Sequence, residues 1–164
     1  MSYLFFFSYA REDYGKKLRM FYNDITTEIS QRLPESKENI GFRDESNVKL
    51  GQKWPEALSQ ALRTARLFVY IHSAAYFNRS DWCGKEWHFF RMRVEQYMED
   101  KKTCDSTPPV MIPVLWNSKC DIPPCAKNIQ FTHEEFGKNY KDYGLHSIMM
   151  STIPGQIVFI SSFI

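Results

Sequence analysis

Apolar positions along this chain fall into two alternating kinds of run. Leu4 to Ser8 is continuously apolar and ends in small and polar residues, as a strand buried on both faces reads. Tyr14, Leu18, Phe21, Ile25 and Ile29 then recur at helical spacing, which predicts an amphipathic helix over residues 14–33, ended by Pro34. Ile40 to Arg43 reads as a short strand, followed by a polar loop, Asp44 to Lys53, with Gly51 near its end. Trp54, Leu58, Ala61 and Ala65 mark a second helix, with Pro55 suited to its first turn. Leu67 to Ile71 is a third strand. Trp87, Phe90, Val94 and Tyr97 form the buried stripe of a third helix, running from Glu86 to about Glu99. Lys101 to Pro109 is a polar connector. Val110 to Trp116 predicts a fourth strand, in which Pro113 argues against a fully paired central position. Ile129 to Phe131 reads as a short fifth strand.

Strand alternating with helix in this way predicts an α/β fold, with a central parallel sheet and helices on both faces. The arrangement expected is the three-layer, flavodoxin-like one: about five strands in the order 2-1-3-4-5, joined by right-handed crossovers. Its switch point falls between strands one and three, where the loops Ser8 to Asp13 and His72 to Cys83 meet. Residues 1–150 form one domain in this reading. Residues 151–164 stand apart: Pro154-Gly155 interrupts, and Ile157 to Ile164 is almost wholly apolar, a truncated element, a β-addition segment or a partner-binding edge.

Composition narrows the function. The charge of +2, from 21 basic and 19 acidic residues, gives no footing for nucleic acid or an acidic membrane as main partner. No apolar run approaches the roughly 20 residues that cross a bilayer. Tyr3 to Phe7 lacks a basic leader and runs into Arg11, Glu12 and Asp13, so it does not read as a signal peptide. Cys83, Cys104, Cys120 and Cys125 are too sparse for a disulfide framework and fit reduced thiols in the cytoplasm. Cys120 and Cys125 lack two-residue ligand spacing, and His133-Glu134-Glu135 lacks a second histidine, so no metal site is expected. There is no glycine-rich dinucleotide fingerprint and no P-loop.

The segment with most chemistry in it is Asp81-Trp82-Cys83-Gly84-Lys85-Glu86-Trp87. It places a carboxylate at the start of the third helix, beside the C-terminal end of a strand, where open α/β sheets bind ligands. For Glu86 the plain alternative is a solvated first-turn acid. Cys83 reads as a small buried residue, since a thiol nucleophile needs a base and no histidine is placed for it.

Several pieces occur in a telling order. They are Phe6-Phe7-Ser8-Tyr9-Ala10-Arg11 with Asp13, Gly41-Phe42-Arg43-Asp44 opening a loop that closes at Leu50-Gly51, and Trp54 with its helix. Leu67-Phe68-Val69-Tyr70-Ile71 with Ser73, Trp82-Cys83-Gly84-Lys85-Glu86 and Ile112-Pro113-Val114-Leu115-Trp116 follow. Together they resemble the TIR (Toll/interleukin-1 receptor) domain of the bacterial, NAD-hydrolysing type, over residues 3 to about 131. The resemblance implies a five-stranded flavodoxin-like fold and one of two roles. One is cleavage of NAD+ at the nicotinamide–ribose bond, giving nicotinamide with ADP-ribose or a cyclic isomer. The other is a non-catalytic signalling scaffold.

On the enzymatic reading the resemblance makes Glu86 the catalytic residue and NAD+ a substrate, with no cofactor. It places Ser8, Tyr9 and Arg11 on the nicotinamide and phosphate side. Asp44, Lys49 and Gly51 fall in a gating loop that also takes part in assembly, and Trp82 and Tyr76 are stacking candidates. It further implies activation by self-association, a fused or separate sensor module, and a toxic role such as defence against phage. Plainer readings stand beside these: Arg11 pairing with Glu12 or Asp13, Asp44 as a turn residue, Trp82 as core. A nucleoside-hydrolysing or ribosyl-transferring enzyme on a related sheet is a further rival.

Overall fold

The structure is a computed structural model that describes residues 2–33, 39–43, 56–101, 108–118, 120–131 and 134–151. The elements are β1 (Phe5–Ser8), α1 (Lys16–Arg32), β2 (Gly41–Arg43), α2 (Glu56–Thr64), β3 (Leu67–His72), α3 (Ala74–Asn78), α4 (Asp81–Lys101), β4 (Met111–Leu115) and α5 (Gly137–Met150). Short 3-10 turns lie at Arg11–Asp13, Pro124–Ala126 and Glu134–Phe136 among the described residues. The strands form one parallel sheet in the order β2-β1-β3-β4. Ser8 pairs with Tyr70 across β1 and β3, so the switch point lies beside Ser8.

Alternation along the strands sorts the core into two layers. Phe5, Phe7, Val69, Ile71 and Val114 pack against Leu18, Phe21, Ile25 and Ile29 of α1 and Tyr140 and Leu145 of α5. Phe6, Phe68 and Tyr70 face α2, α3 and α4. Both faces are therefore covered, which is why β1 and β3 read as unbroken apolar runs. On the second face a row of rings crosses the sheet. Phe6 stacks on Phe42 and Phe68 at centroid distances of 5.5 and 5.8 Å, and Phe68 stacks on Phe90 of α4 at 5.0 Å. That row fixes α4 over β1 and β3.

Three expectations need correction. Ile129 to Phe131 is not a strand; Phe131 is buried with its ring 4.6 Å from that of His72. Four strands are present among the described residues, and β4 takes the edge. Phe68 N–H donates to Val110 and Trp116 N–H to the His72 carbonyl, so the alternate position Pro113 turns its missing N–H away from β3. Leu115 N–H, also outward, donates to the Tyr140 hydroxyl at 2.7 Å. α5 can come this close because Gly144, at φ 77°, carries no Cβ, which would sit 2.5 Å from the Trp116 carbonyl oxygen. The second correction is α3, which occupies the stretch read as a loop from His72 to Cys83. The third is α4, which begins at Asp81 and not at Glu86, because residues 81–85 continue the helical turn. No described helix is long and apolar enough to cross a membrane.

Candidate active site

Glu86 lies on the buried side of α4, one helical turn from Cys83 and from Phe90 and next in sequence to the buried Trp87. It is 7% exposed. A carboxylate on an apolar stripe is costly unless hydrogen-bonded, and here the sheet supplies a donor. Ser8, the last residue of β1, donates its hydroxyl proton to Glu86 Oε2 at 2.6 Å. Ser8 Oγ also lies 2.7 Å from the Tyr76 hydroxyl. A serine has one proton to give, and Ser8 gives it to Glu86, so Tyr76 is the donor in the second bond. Burial, with Cys83 and Glu86 nearby, raises the Tyr76 pKa well above its ordinary value. The phenol therefore keeps its proton, and the order Tyr76 to Ser8 to Glu86 is fixed.

α3 brings Tyr76 to this position. Ser73 is its N-cap and accepts the Tyr76 N–H at 3.2 Å. The Ser73 hydroxyl in turn donates to Asp13 Oδ2 at 2.5 Å. Burial raises the Asp13 pKa, against the lowering effect of the Ser73 bond. Beside it Glu12 pairs with Arg79 at 2.9 Å. His72, at the end of β3, is wholly buried between Phe77 and Phe131, and burial lowers its pKa.

Ser8, Tyr76 and Glu86 thus converge, but Tyr76 joins them by its hydroxyl. Its ring is fully buried against Tyr70 and Phe77, at 5.6 and 4.9 Å, so it offers the core and not an open stacking face. Tyr9 stacks on Tyr14 at 5.5 Å, directly after Ser8 in the chain. Arg11 is exposed on the 3-10 turn, where Glu12 pairs with Arg79. Trp82 is half-buried and carries the Lys85 ammonium 4.8 Å from its ring centre. Trp87 is core, as its place on the stripe predicts. Cys83 is buried and its thiol pKa is raised by burial and by Glu86, which suits packing and not nucleophilic attack. Asp44, Lys49 and Gly51 lie outside the described residues, as do Trp54, Pro55, Cys104, His133 and the tail from residue 152. Among the described residues no cluster of His, Cys, Asp or Glu has the makings of a metal site.

Sequence reasoning passed over the Ser73–Asp13 bond and the role of the Tyr76 hydroxyl. A signal existed for the cap, though not for its bond to Asp13: a serine directly after a strand and before Ala-Ala-Tyr is an N-cap in waiting.

Comparison with known proteins agrees with this architecture. No curated protein matches the chain. Among solved structures it is similar to the TIR domain of the Toll-related receptor TRR-2 from the lower metazoan Hydra magnipapillata. That match has 15% identity and a TM-score of 0.52, over 79% of this chain and 82% of the other. The TIR domains of the activated Roq1 resistosome, which directly recognizes the pathogen effector XopQ, match at 21% identity and a TM-score of 0.42, over 80% of this chain and 65% of theirs. The TIR domain family model matches residues 5–143, from the first residue of β1 into α5 and across the whole Ser8–Tyr76–Glu86 site. With that span matched and the Hydra domain sharing the fold, this chain belongs to the TIR domain family.

Proposed function

We propose that this TIR domain is an NAD+ glycohydrolase and that Glu86 is its catalytic carboxylate. The observation that carries the reading is a buried carboxylate, hydrogen-bonded by Ser8, at the switch point of the sheet. Natural folds seldom bury an acid on an apolar helix stripe without a use for it. Nicotinamide leaves NAD+ as a neutral molecule, taking the electron pair of the bond to C1′, so no general acid is needed. Positive charge then develops on the ribose, as in glycoside hydrolysis. A preorganised carboxylate close to that charge stabilises the transition state. Water adds at C1′ and loses a proton to give ADP-ribose; capture by another part of the same molecule gives a cyclic isomer.

Glu86 does not sit at a helix N-terminus. α4 begins at Asp81, and the dipole effect fades within the first turn. The Ser8 hydroxyl, held in its donor role by Tyr76, points its proton at the Glu86 carboxylate instead. In this proposal the domain works in the cytoplasm, gains activity by self-association and answers to a fused or separate sensor module.

The experiment is nicotinamide release from NAD+ by free protein over a concentration series, and by protein clustered on a multivalent support. The proposal expects release that rises faster than linearly with concentration and is greatest when clustered. Cleavage of free nucleosides with NAD+ spared points to the rival enzyme class. No release in either format returns the domain to the scaffold role.

A further inference from the structure

The 3-10 turn that leaves β1 grips α3 at both ends. Asp13 accepts from Ser73, the N-cap of α3, and Glu12 pairs with Arg79, its C-cap. α3 is five residues long, far too short to hold its shape alone. Its middle residue, Tyr76, is the one whose hydroxyl donates to Ser8. The two clamps are unequal. Arg79 and Glu12 have side chains 59% and 56% exposed, and an ion pair of that kind contributes little. The Ser73–Asp13 bond is short and partly buried, and Ser73 uses its proton on Asp13 and its lone pair on the Tyr76 N–H.

We infer that Asp13 is a positioning residue for Glu86, acting through Ser73, α3, Tyr76 and Ser8. The inference rests on the catalytic reading of Glu86 for its effect on rate, but not for the coupling itself. Asp13 holds the Ser73 hydroxyl in one rotamer, and that rotamer caps α3. The cap sets the height of the Tyr76 ring over β1, and Tyr76 leaves Ser8 only one acceptor to face. Without Asp13 the Ser73 hydroxyl turns elsewhere, α3 loosens at its N-terminus, and Glu86 loses a uniquely oriented donor. The charged groups around Asp13 are Glu12, Arg79 and His146, and none of them replaces its acceptor role toward Ser73.

The test pairs kinetics with a measurement that needs no substrate. Asp13→Ala is expected to lower kcat roughly tenfold, the size of loss that follows removal of an orienting partner behind an active group, with KM changed less than about twofold. Ser73→Ala should lose as much, and the double variant no more than either. Asp13→Asn, whose amide oxygen still accepts from Ser73, should keep most of the rate, and Glu12→Gln nearly all of it. Additive losses, or a rise in KM carrying the whole effect, would show Asp13 acting on its own and overturn the inference. In parallel, the side-chain carboxyl 13C resonance of Glu86 is followed in the ligand-free protein. It should move equally in Asp13→Ala and Ser73→Ala and stay in place in Asp13→Asn. An unmoved resonance in the alanine variants overturns the inference even where NAD+ is cleaved. If the wild-type protein cleaves no NAD+, the resonance alone decides.

Discussion

Replacing Ser8 by alanine removes one oxygen and breaks two hydrogen bonds. Ser8 is 1% exposed, so water does not take the place of the lost hydroxyl. The bond to Glu86 Oε2 is made to a charged group, which contributes about 1.5–3 kcal/mol. The Tyr76 hydroxyl, fully buried, is left without its acceptor, a penalty of about 1–3 kcal/mol. Relaxation overlaps the two effects, so the expected loss is about 2–4 kcal/mol. In a chain of this size that lowers Tm by about 5–15 °C. Tyr76→Phe leaves the Ser8–Glu86 bond intact and should cost only about 1 kcal/mol. The telling case is the double variant, which has no orphaned phenol and should be more stable than Ser8→Ala alone. Urea unfolding followed by circular dichroism measures all three, with the midpoint shifting at constant slope. A loss below about 0.5 kcal/mol for Ser8→Ala, or a double variant that simply adds both losses, would refute the hydrogen-bonded chain Tyr76–Ser8–Glu86.

Gly144→Ala should destabilise by at least about 2 kcal/mol, since φ 77° and ψ 165° suit only glycine and the new Cβ meets the Trp116 carbonyl; thermal melting checks it. Tyr140→Phe orphans the Leu115 N–H on the edge of β4 and should cost about 1–2 kcal/mol, with faster hydrogen exchange at that amide. Asp13→Asn should raise Tm at pH 7. The Asp13 pKa is raised in the fold, so the folded state holds its proton more tightly than the unfolded chain. Stability from this group is present below the unfolded value of 3.8 and falls as pH rises through the folded one. The advantage of the asparagine should therefore close toward pH 3 in a melting series, and a constant gap would contradict it.

The alternating pattern carried the sheet because each strand is buried on both faces and each helix on one. The apolar runs at Phe5 to Phe7 and Leu67 to Ile71 admit no other placement in a parallel sheet. Glu86 was legible by its place in a motif, but its burial was not, because a helix start at Glu86 hides its relation to Cys83. Counted from Asp81, residues 83, 86 or 87, 90 and 94 form one stripe, and the acid falls on it. α3 was missed because its five residues are fewer than periodicity can register, and its cap bond to Asp13 joins residues far apart in sequence. The weak strand Ile129 to Phe131 misled because two apolar residues flanking a polar one look the same in a strand and in a covering loop that packs both on the core. Here Phe131 lies against His72.

The most direct test of the account compares wild type and Glu86→Gln in one clustered preparation, measuring nicotinamide release and melting temperature together. Glutamine keeps the shape and an acceptor for Ser8 while removing the buried charge, so the fold should be as stable or more so. The account predicts that release falls by at least about 100-fold, the scale set by loss of a preorganised electrostatic group. Equal release from a Glu86→Gln protein of unchanged stability would contradict it and leave Glu86 as a buried polar staple between β1 and α4.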